Sequence, residues 1–423
     1  MELFARLGNL VYRRWQLKNF DERAFPEIAA AALRELPVDQ NATYRDVIDA
    51  FVIDATLPVQ RPHTGFGEPP IVVFESPGFY IEVLCWINDT TSIHQHTFSG
   101  AFQVMAGSSI HSTYRFEPRR RISGAMELGD LSFVESQLLR HGDVCPIVAG
   151  RAFIHSLSHL DRPSINVVVR TRRDAEHGIQ WDYLRPGVAL DPFADLGHDT
   201  RKRIRQLIEA LWQMDLTELD RFVDRIIEVR DLETVFLVAR RYHALAVGPS
   251  QRIGRERLGS VHRAVAARFG GDARLVLEAL DEGVRGADLM RRCEEIHSAE
   301  HRFFLALLLN VPARAKLLEL VAAYAPGPSR ATVLRWLREL TCAKDPGHAA
   351  LLELELELEE PLQGVRLADL LHATAAGMLE GLGGDALGAR LVAEEPAFAA
   401  LRDEVAALEA QLRTGALRPL FSP

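Results

Sequence analysis

The chain has 423 residues, of which 48% are hydrophobic and 25% are charged, and its formal net charge is −9. Such a chain holds two or three globular domains with ordinary apolar cores. The acidic balance argues against nucleic acid as a partner. No apolar run reaches the roughly 18 residues that a membrane span needs, and the first 20 residues lack the apolar core of a secretion signal. We therefore expect a soluble, cytoplasmic protein with no membrane partner.

Three stretches of different texture follow one another along the chain. Residues 1–57 carry apolar side chains at helical spacing and predict an N-terminal helical segment. Residues 58–192 alternate short β-branched and aromatic runs with turn residues, which is typical of a β-sandwich or β-barrel. Residues 193–423 return to the i, i+3, i+4 apolar pattern and predict a large α-helical domain. The predicted fold is therefore α+β, with an antiparallel β-barrel between two helical regions.

The predicted strands and helices can be placed more closely. The strand runs are Ile71–Phe74, Phe79–Ile87, Gly100–Met105, Ile110–Phe116, Asp143–Val148 and Ile165–Thr171. Among the predicted C-terminal helices are Leu216–Val229, Leu289–Leu309, Arg314–Tyr324, Leu367–Leu379 and Glu395–Leu412. No fixed sequence period connects these helices, so the pattern does not indicate a repeat array.

Histidines are concentrated in the predicted β region, where seven of the 15 lie between residues 63 and 159. His94 and His96 are two residues apart on an extended segment, so both side chains project to the same side of a strand. His155 follows a Pro/Gly turn and precedes a strand, which allows it to lie opposite that pair in a barrel. Three neutral imidazoles leave other coordination positions open, an arrangement that suits a catalytic metal ion.

These residues resemble the motifs of the cupin superfamily. The first cupin motif reads His-x-His, then a Glu, then a Gly, and this chain shows His94, His96 and Gly107, with Gly100 or Ala101 in place of the Glu. The second motif is matched loosely by Gly142, Gly150 and His155. The runs Leu84-Cys85-Trp86 and Ser92 to Thr97 look most like the cysteine dioxygenase branch. That resemblance covers residues 70–175 and implies a jelly-roll cupin barrel that holds iron through three histidines.

The sequence departs from that branch at the positions that recognise cysteine. Thiol dioxygenases carry a Ser-x-His-x-Tyr run after the third ligand, and the aligned positions here are Asn166, Val168 and Arg170. Their carboxylate-anchoring arginine would fall near Pro69 or Pro70, and Ala101 stands at the position of the crosslinked cysteine. The resemblance therefore implies the fold and the metal and leaves the substrate open.

Other polar residues of the β region are candidates for the pocket. Gln103 shares the phase of Ala101 and Met105, so we expect it to face the barrel core and to orient substrate or water, with a satisfied core glutamine as the alternative. One face of the strand at 110–116 lines the barrel, which makes His111 or Tyr114 a catalytic candidate. The substrate-binding candidates are Arg170, His159 and Tyr80, each with a structural or surface role as the alternative.

The predicted function is that of a mononuclear non-haem metal cupin. Such an oxygenase or dioxygenase would use Fe(II) and dioxygen to oxidise a small molecule, such as a thiol or an amino-acid derivative. One divalent ion is expected, and Zn, Mn, Ni and Cu are alternatives to iron because imidazole accepts all of them. The alternative function is a non-catalytic metal- or ligand-binding cupin with a helical regulatory domain. In either case the helical domain is a candidate for forming a homodimer.

Overall fold

The chain folds into two compact units in a computed structural model that describes residues 2–54, 56–60, 67, 69–87, 90–172, 174, 176–194, 199–246, 254–342 and 365–422. The first unit comprises residues 1–135 and 139–287, and the second comprises residues 136–138 and 288–423. The first unit contains the strands and the N-terminal helices. The second is built mainly of helices.

Within the described residues, four α-helices precede the strands, in agreement with the helical N-terminal pattern: α1 (Glu2–Gln16), α2 (Phe25–Glu35), α3 (Val38–Asn41) and α4 (Tyr44–Ile53). The side chains of α1 at Phe4, Leu7, Val11 and Trp15 recur at three- and four-residue spacing and are all buried. Helix α4 begins with a reciprocal capping box between Thr43 and Asp46.

Eleven strands are described, and they form two sheets. A five-stranded sheet has the order β1-β2-β9-β4-β7, and a closed six-stranded barrel has the order β10-β11-β6-β5-β8-β3. The strands are β1 (Pro70–Glu75), β2 (Phe79–Trp86), β3 (Ile93–Gln95), β4 (Gly100–Ala106), β5 (Ser109–Arg121), β6 (Met126–Leu139), β7 (Val144–Ile147), β8 (Ile154–His159), β9 (Ser164–Thr171), β10 (Asp182–Leu184) and β11 (Val188–Leu190). The strands pair antiparallel in both sheets.

Each face of the five-stranded sheet has its own apolar cluster. Side chains such as Ile81, Ala101 and Val167 pack against α1 and α2 on one face. The alternate side chains, including Phe102 and Val168, form a second cluster on the other face together with Leu157 of β8. Because neighbouring side chains along a strand point in opposite directions, one residue of phase decides which cluster a side chain joins.

A third cluster fills the closed barrel. Its members on the six barrel strands are Ile93, Tyr114, Phe116, Leu131, Phe133, Ile154, Tyr183 and Ala189, and Ile179 and Trp181 join them from the segment before β10. The opposite faces of β6 and β11 carry Met126, Leu128, Val188 and Leu190, which pack against helices of the first unit. The barrel thus has an apolar interior of its own, and the face of β3 and β8 that bears the histidines lies outside that interior.

The α-helices described after the strands are α5 (Asp199–Met214), α6 (Leu216–Val229), α7 (Leu232–Ala246), α8 (Arg255–Phe269), α9 (Gly271–Glu295), α10 (Ala299–Asn310), α11 (Arg314–Tyr324), α12 (Ser329–Cys342), α13 (Leu367–Leu379), α14 (Gly384–Glu394) and α15 (Arg402–Thr414). In the second unit, Phe303, Phe304 and Trp336 are almost fully buried. Among the helices of the described ranges, none combines the length and apolar character required to cross a bilayer.

The expected architecture of a β-barrel, an N-terminal helical lead and a large helical C-terminal part is confirmed. Three helix predictions, Leu216–Val229, Arg314–Tyr324 and Leu367–Leu379, match the structure at both ends. Two others were wrong in extent. The chain breaks between α9 and α10, where Leu289–Leu309 predicts one helix, because Ser298 caps a new helix start. The helix predicted at Glu395–Leu412 begins later, because Pro396–Ala400 forms a 3-10 helix and α15 starts at Arg402.

Candidate metal centre

Three histidines converge on the face of the barrel that is turned toward the five-stranded sheet. His94 and His155 lie directly opposite each other in the antiparallel pair of β3 and β8. His96 follows on the same side of the chain as His94, as period-2 spacing requires. The ligand nitrogens of the three rings lie within 4.8 Å of one another, and Nε2 of His96 is 2.9 Å from Nε2 of His155. All three side chains are buried.

Contacts at the far side of two rings set their orientation. The Nδ1 of His94 is 2.8 Å from the carbonyl oxygen of Ser92 and donates to it, which makes Nε2 the unprotonated nitrogen of the ring. The Nδ1 of His155 is 3.0 Å from Nε2 of His111. When that Nδ1 carries the proton and donates to His111, the Nε2 lone pair of His155 points toward His96. Such outer contacts are typical of metal-ligating histidines.

Electrostatics keep these imidazoles uncharged at neutral pH. Burial lowers the pKa of His94 to about 4. The pKa of His155 is well below its ordinary value, first because of burial and then because of the neighbouring histidines. Burial lowers the pKa of His96, and the nearby His94 and Arg170 lower it further. Neutral imidazole is the form that ligates metal ions, so the donor set fits one divalent transition metal.

The backbone explains why no carboxylate completes the motif. A Cβ placed on Gly100 would lie 2.2 Å from the carbonyl oxygen of Val169, so no side chain fits at that position. The neighbouring Ala101 is fully buried on the opposite face, in the cluster with the N-terminal helices. A glutamate at either position of this backbone would therefore not reach the histidines.

The three histidines border a cavity of about 340 Å³ between the two sheets. Most of its wall is apolar, with Leu84, Phe98, Phe102, Leu157 and Val168 as examples. The polar lining residues are Glu82, Thr91, Asn166, Arg170 and Gln180. A small apolar cavity with a few convergent polar groups beside potential metal ligands is typical of a small-molecule site.

Arg170, one of the substrate-binding candidates, lines this cavity. Its Nη1 is 3.2 Å from Oε1 of Glu82, and both side chains are largely buried. The guanidinium carbon stands 3.4 Å from the ring centroid of Phe98 and 5.3 Å from that of Tyr80. The aromatic contacts stabilise the cation at the cavity wall. Tyr80 is buried beneath Arg170, so its contact with the cavity is indirect.

The strand that departs from the thiol dioxygenase pattern supplies three cavity residues. Asn166, Val168 and Arg170 alternate along β9 and all line the cavity. Within the described residues, no hydrogen-bond partner is found for Oδ1 of Asn166, Nε of Arg170 or Nε2 of Gln180. Buried polar atoms are normally paired, so these atoms are candidates for binding a polar ligand.

His111 contacts the site through His155, which places it outside the cavity wall. Burial lowers its pKa to about 4, and its Nδ1 is 4.0 Å from Sγ of Cys145. Burial also raises the pKa of the Cys145 thiol to about 12, so the thiol stays protonated. His111 therefore contacts His155 and is not among the residues that line the cavity, so we propose that it positions His155. Its predicted catalytic role stays a prediction.

We expect His111→Leu to weaken metal binding by roughly 10–100-fold, because His155 loses the acceptor for its Nδ1 proton. The measurement is the dissociation constant for Fe(II) under anaerobic conditions. Tyr114→Phe on the same strand is the matched control and should bind as the unchanged protein does. Equal affinities for His111→Leu and wild type would contradict the positioning role.

Tyr114 was expected to be able to reach the pocket, and the structure places it elsewhere. It lies on the opposite face of β5 from His111, inside the closed barrel, where its hydroxyl accepts a 2.7 Å hydrogen bond from Arg185. The reason is the two-residue period of the strand: with His111 toward His155, a side chain three positions on must point the other way.

Gln103 also faces away from the cavity, so the expectation that it orients a substrate does not fit the structure. Its Oε1 accepts a 2.9 Å hydrogen bond from the backbone N–H of Val38, at the start of α3. Ala101 and Met105, which share its phase, pack against the N-terminal helices. The phase was predicted correctly, but the helices cover that face and the cavity lies on the other.

We expect Gln103→Leu to lower the free energy of unfolding by about 1–3 kcal/mol, because a buried N–H of Val38 loses its acceptor. Urea denaturation measures the change, and exposed Gln206→Leu serves as the control. Metal content should stay at the wild-type level. Loss of metal with unchanged stability would restore the original prediction for Gln103.

His159 is the remaining substrate-binding candidate, and it is not among the residues that line the cavity. Its ring stacks on Trp86, with 4.8 Å between ring centroids, and its Nδ1 lies 3.0 Å from the hydroxyl oxygens of both Ser109 and Ser164. Burial lowers its pKa to about 3. Its position behind Trp86 indicates a packing role.

Gln180 and Phe193 are cavity residues that the sequence analysis did not consider. Gln180 lies just before β10 and Phe193 just after β11, in irregular segments that offer no periodicity to follow. Only the chain path brings them to the cavity. Asn166 was singled out for its mismatch with a known motif, which is the one signal that could have identified it as a lining residue.

The comparisons with known proteins concern the fold alone. No protein-family model and no curated protein matches the sequence. Among solved structures, a cupin-2 domain protein from Shewanella frigidimarina is 14% identical, with 31% of this chain and 94% of that chain covered and a TM-score of 0.19. The DMSP lyase DddQ from Ruegeria pomeroyi is 16% identical, with 41% and 94% covered and a TM-score of 0.22.

A third similar structure is the hydroquinone 1,2-dioxygenase PnpCD, determined with Cd²⁺ and 4-hydroxybenzonitrile. It is 18% identical, with 25% of this chain and 63% of that chain covered and a TM-score of 0.19. The closer resemblance to thiol dioxygenases stays a prediction.

Proposed function

We propose that this chain is a three-histidine, Fe(II)-dependent cupin oxygenase that acts with dioxygen on a small molecule. The observation that carries the proposal is the convergence of His94, His96 and His155 on one small, largely apolar cavity that also contains Arg170. His94, His96 and His155 would hold the ion through ring nitrogens. A bound Fe(II) ion would supply the activation of dioxygen beside the substrate.

The chain's own residues prepare the site in three ways. The neutral imidazoles present lone pairs without a carboxylate among them. The apolar walls exclude water, which strengthens every electrostatic contact inside the cavity. A volume of about 340 Å³ limits the occupant to a small molecule, at the lower end of the usual range for ligand sites.

The paired charges at the cavity wall support an amino-acid derivative as the substrate class. Arg170 offers N–H donors to a carboxylate, and Nε has no partner among the described residues. Glu82, 3.2 Å away, is an acceptor for an ammonium group. A cation and an anion side by side match a zwitterion, and the apolar wall receives its side chain. Thiol-bearing amino-acid derivatives are one group within this class.

The test is oxygen consumption by protein that is loaded with Fe(II) anaerobically and then exposed to a panel of amino acids and aminothiols. We expect at least one compound to give stoichiometric oxygen uptake and an oxidised product by mass spectrometry. His155→Ala under the same loading should give none. Tight binding of a compound without any turnover would favour the non-catalytic binding protein. The predicted homodimer, measured by light scattering, is independent of this result.

A further inference from the structure

A second group of potential metal ligands lies in the helical part of the first unit. His243 is on α7, His262 on α8 and Asp281 on α9, and one ligand atom from each lies within 4.8 Å of the others. The group is separate from the histidine cavity, whose lining residues include none of the three. It is therefore a site apart from the one proposed for oxygen chemistry.

The chain path explains how the three helices bring these side chains together. Helix α8 ends at Phe269 and α9 begins at Gly271, with only Gly270 between them at a φ of +57°. That left-handed conformation favours glycine and lets the chain change direction within one residue. His262 lies roughly two turns before the bend and Asp281 roughly three turns after it. Their Nε2 and Oδ1 atoms are 3.7 Å apart.

The two histidines form a stacked pair, and one nitrogen of each ring makes no hydrogen bond to the described residues. Their rings stack with 4.9 Å between centroids and an interplanar angle of 18°. His243 is only 4% exposed. Within the described residues, the Nε2 atoms of both His243 and His262 are buried and have no hydrogen-bond partner. A buried imidazole nitrogen without a partner is uncommon and points to a group that is bound there.

We propose that His243, His262 and Asp281 bind a divalent transition-metal ion of the zinc class, with solvent as the remaining ligand. Two imidazoles and one carboxylate form a ligand set that zinc accepts when a fourth position is left open. Adjacent ligands of a tetrahedral zinc ion stand roughly 3.4 Å apart, given bonds of about 2.0–2.1 Å. Asp281 is largely exposed, so its side chain is free to close that small difference.

Two more carboxylates lie near the proposed ligands, and both are balanced by arginines. The carboxylates of Glu278 and Glu282 act on Asp281 electrostatically and add negative charge beside the proposed ligands. Both glutamates also have arginine partners on the same helix, Arg274 and Arg285. The ion would join α7, α8 and α9 through one point, so binding should stabilise the first unit as well as fill the site.

The test is equilibrium dialysis of tag-free, chelator-treated full-length protein against Zn²⁺, with metal counted by mass spectrometry. We expect two equivalents for the wild type and one for His155→Ala. His262→Gln and Asp281→Asn should each lose one equivalent relative to the wild type, with affinity for that equivalent at least about tenfold weaker. Glu278→Gln removes a neighbouring charge without removing a ligand atom and should retain two equivalents.

A second measurement does not depend on stoichiometry. Zn²⁺ should raise the melting temperature of His155→Ala, because only the helical site remains, and should have no such effect on the His155→Ala/Asp281→Asn double variant. His243 is too deeply buried for a clean substitution, so the exposed Asp281 carries the test. The proposal is overturned if His155→Ala binds no zinc, or if His262→Gln and Asp281→Asn both retain two equivalents. Neither result bears on the iron site.

Discussion

His155→Ala is expected to lose one equivalent of Fe(II) relative to the wild type and, with it, all oxygen consumption. His155 is the only one of the three candidate ligands on β8, and its ring lies against both partners: Nε2 is 2.9 Å from Nε2 of His96, and its strand position is opposite His94. Without it two imidazoles remain, which hold a labile metal weakly. The loss should exceed the roughly 10–100-fold that removing an outer hydrogen-bond partner costs.

The measurement is iron content after anaerobic loading and desalting, followed by oxygen-electrode assays on the same sample. His297→Ala is the matched control, because that histidine is exposed and its removal should change neither value. Circular dichroism establishes that the variant is folded. Full iron content in both His155→Ala and His94→Ala would show that the three-histidine assignment is wrong.

Arg170→Met is expected to lower the free energy of unfolding by about 3–5 kcal/mol. Arg170 is paired with Glu82 at 3.2 Å, and the two side chains are only 15% and 4% exposed. Removing the arginine leaves a buried carboxylate without its counter-charge, which costs far more than the pair itself contributes. The double variant Glu82→Leu/Arg170→Met removes both charges and should recover most of that stability.

Urea denaturation of Arg170→Met, Glu82→Leu and the double variant gives the coupling energy between the two side chains directly. Arg221→Met is the control, because its partner Glu218 is on an exposed helix face and such pairs contribute about 0–1 kcal/mol. The stable double variant then allows a functional test: with the charge pair gone, KM for an amino-acid substrate should rise more than kcat falls. An unchanged KM would show that the charge pair does not bind the substrate.

Several features of the site could be predicted from local sequence because they depend on local geometry. Period-2 spacing places His94 and His96 on one side of an extended segment whatever the rest of the chain does. The same period correctly grouped Gln103 with Ala101 and Met105. The helical stretches were recognisable because the apolar side chains of a helix face recur every three or four residues within one continuous stretch.

Other features could not be predicted because distant chain segments decide them. The face of β4 that borders the cavity depends on where α2 and α3 pack. Gln103 lies on the face that these helices cover, so it bonds to the start of α3 and does not reach the cavity. Similarly, Tyr114 lies in the barrel interior because β10 and β11 close the barrel. Those two strands have three residues each, too few for a sequence pattern.

The sequence by itself therefore determined the candidate metal ligands and the fold class: a β region with three histidines at ligand spacing, no motif glutamate and a helical remainder. Tertiary structure alone decided which side chains lie together at each site. It put Glu82, Asn166 and Arg170 beside the histidines and brought His243, His262 and Asp281 together from three helices. The physical reason is that strand and helix periods are local, whereas the pairing of faces follows from burial across the whole chain.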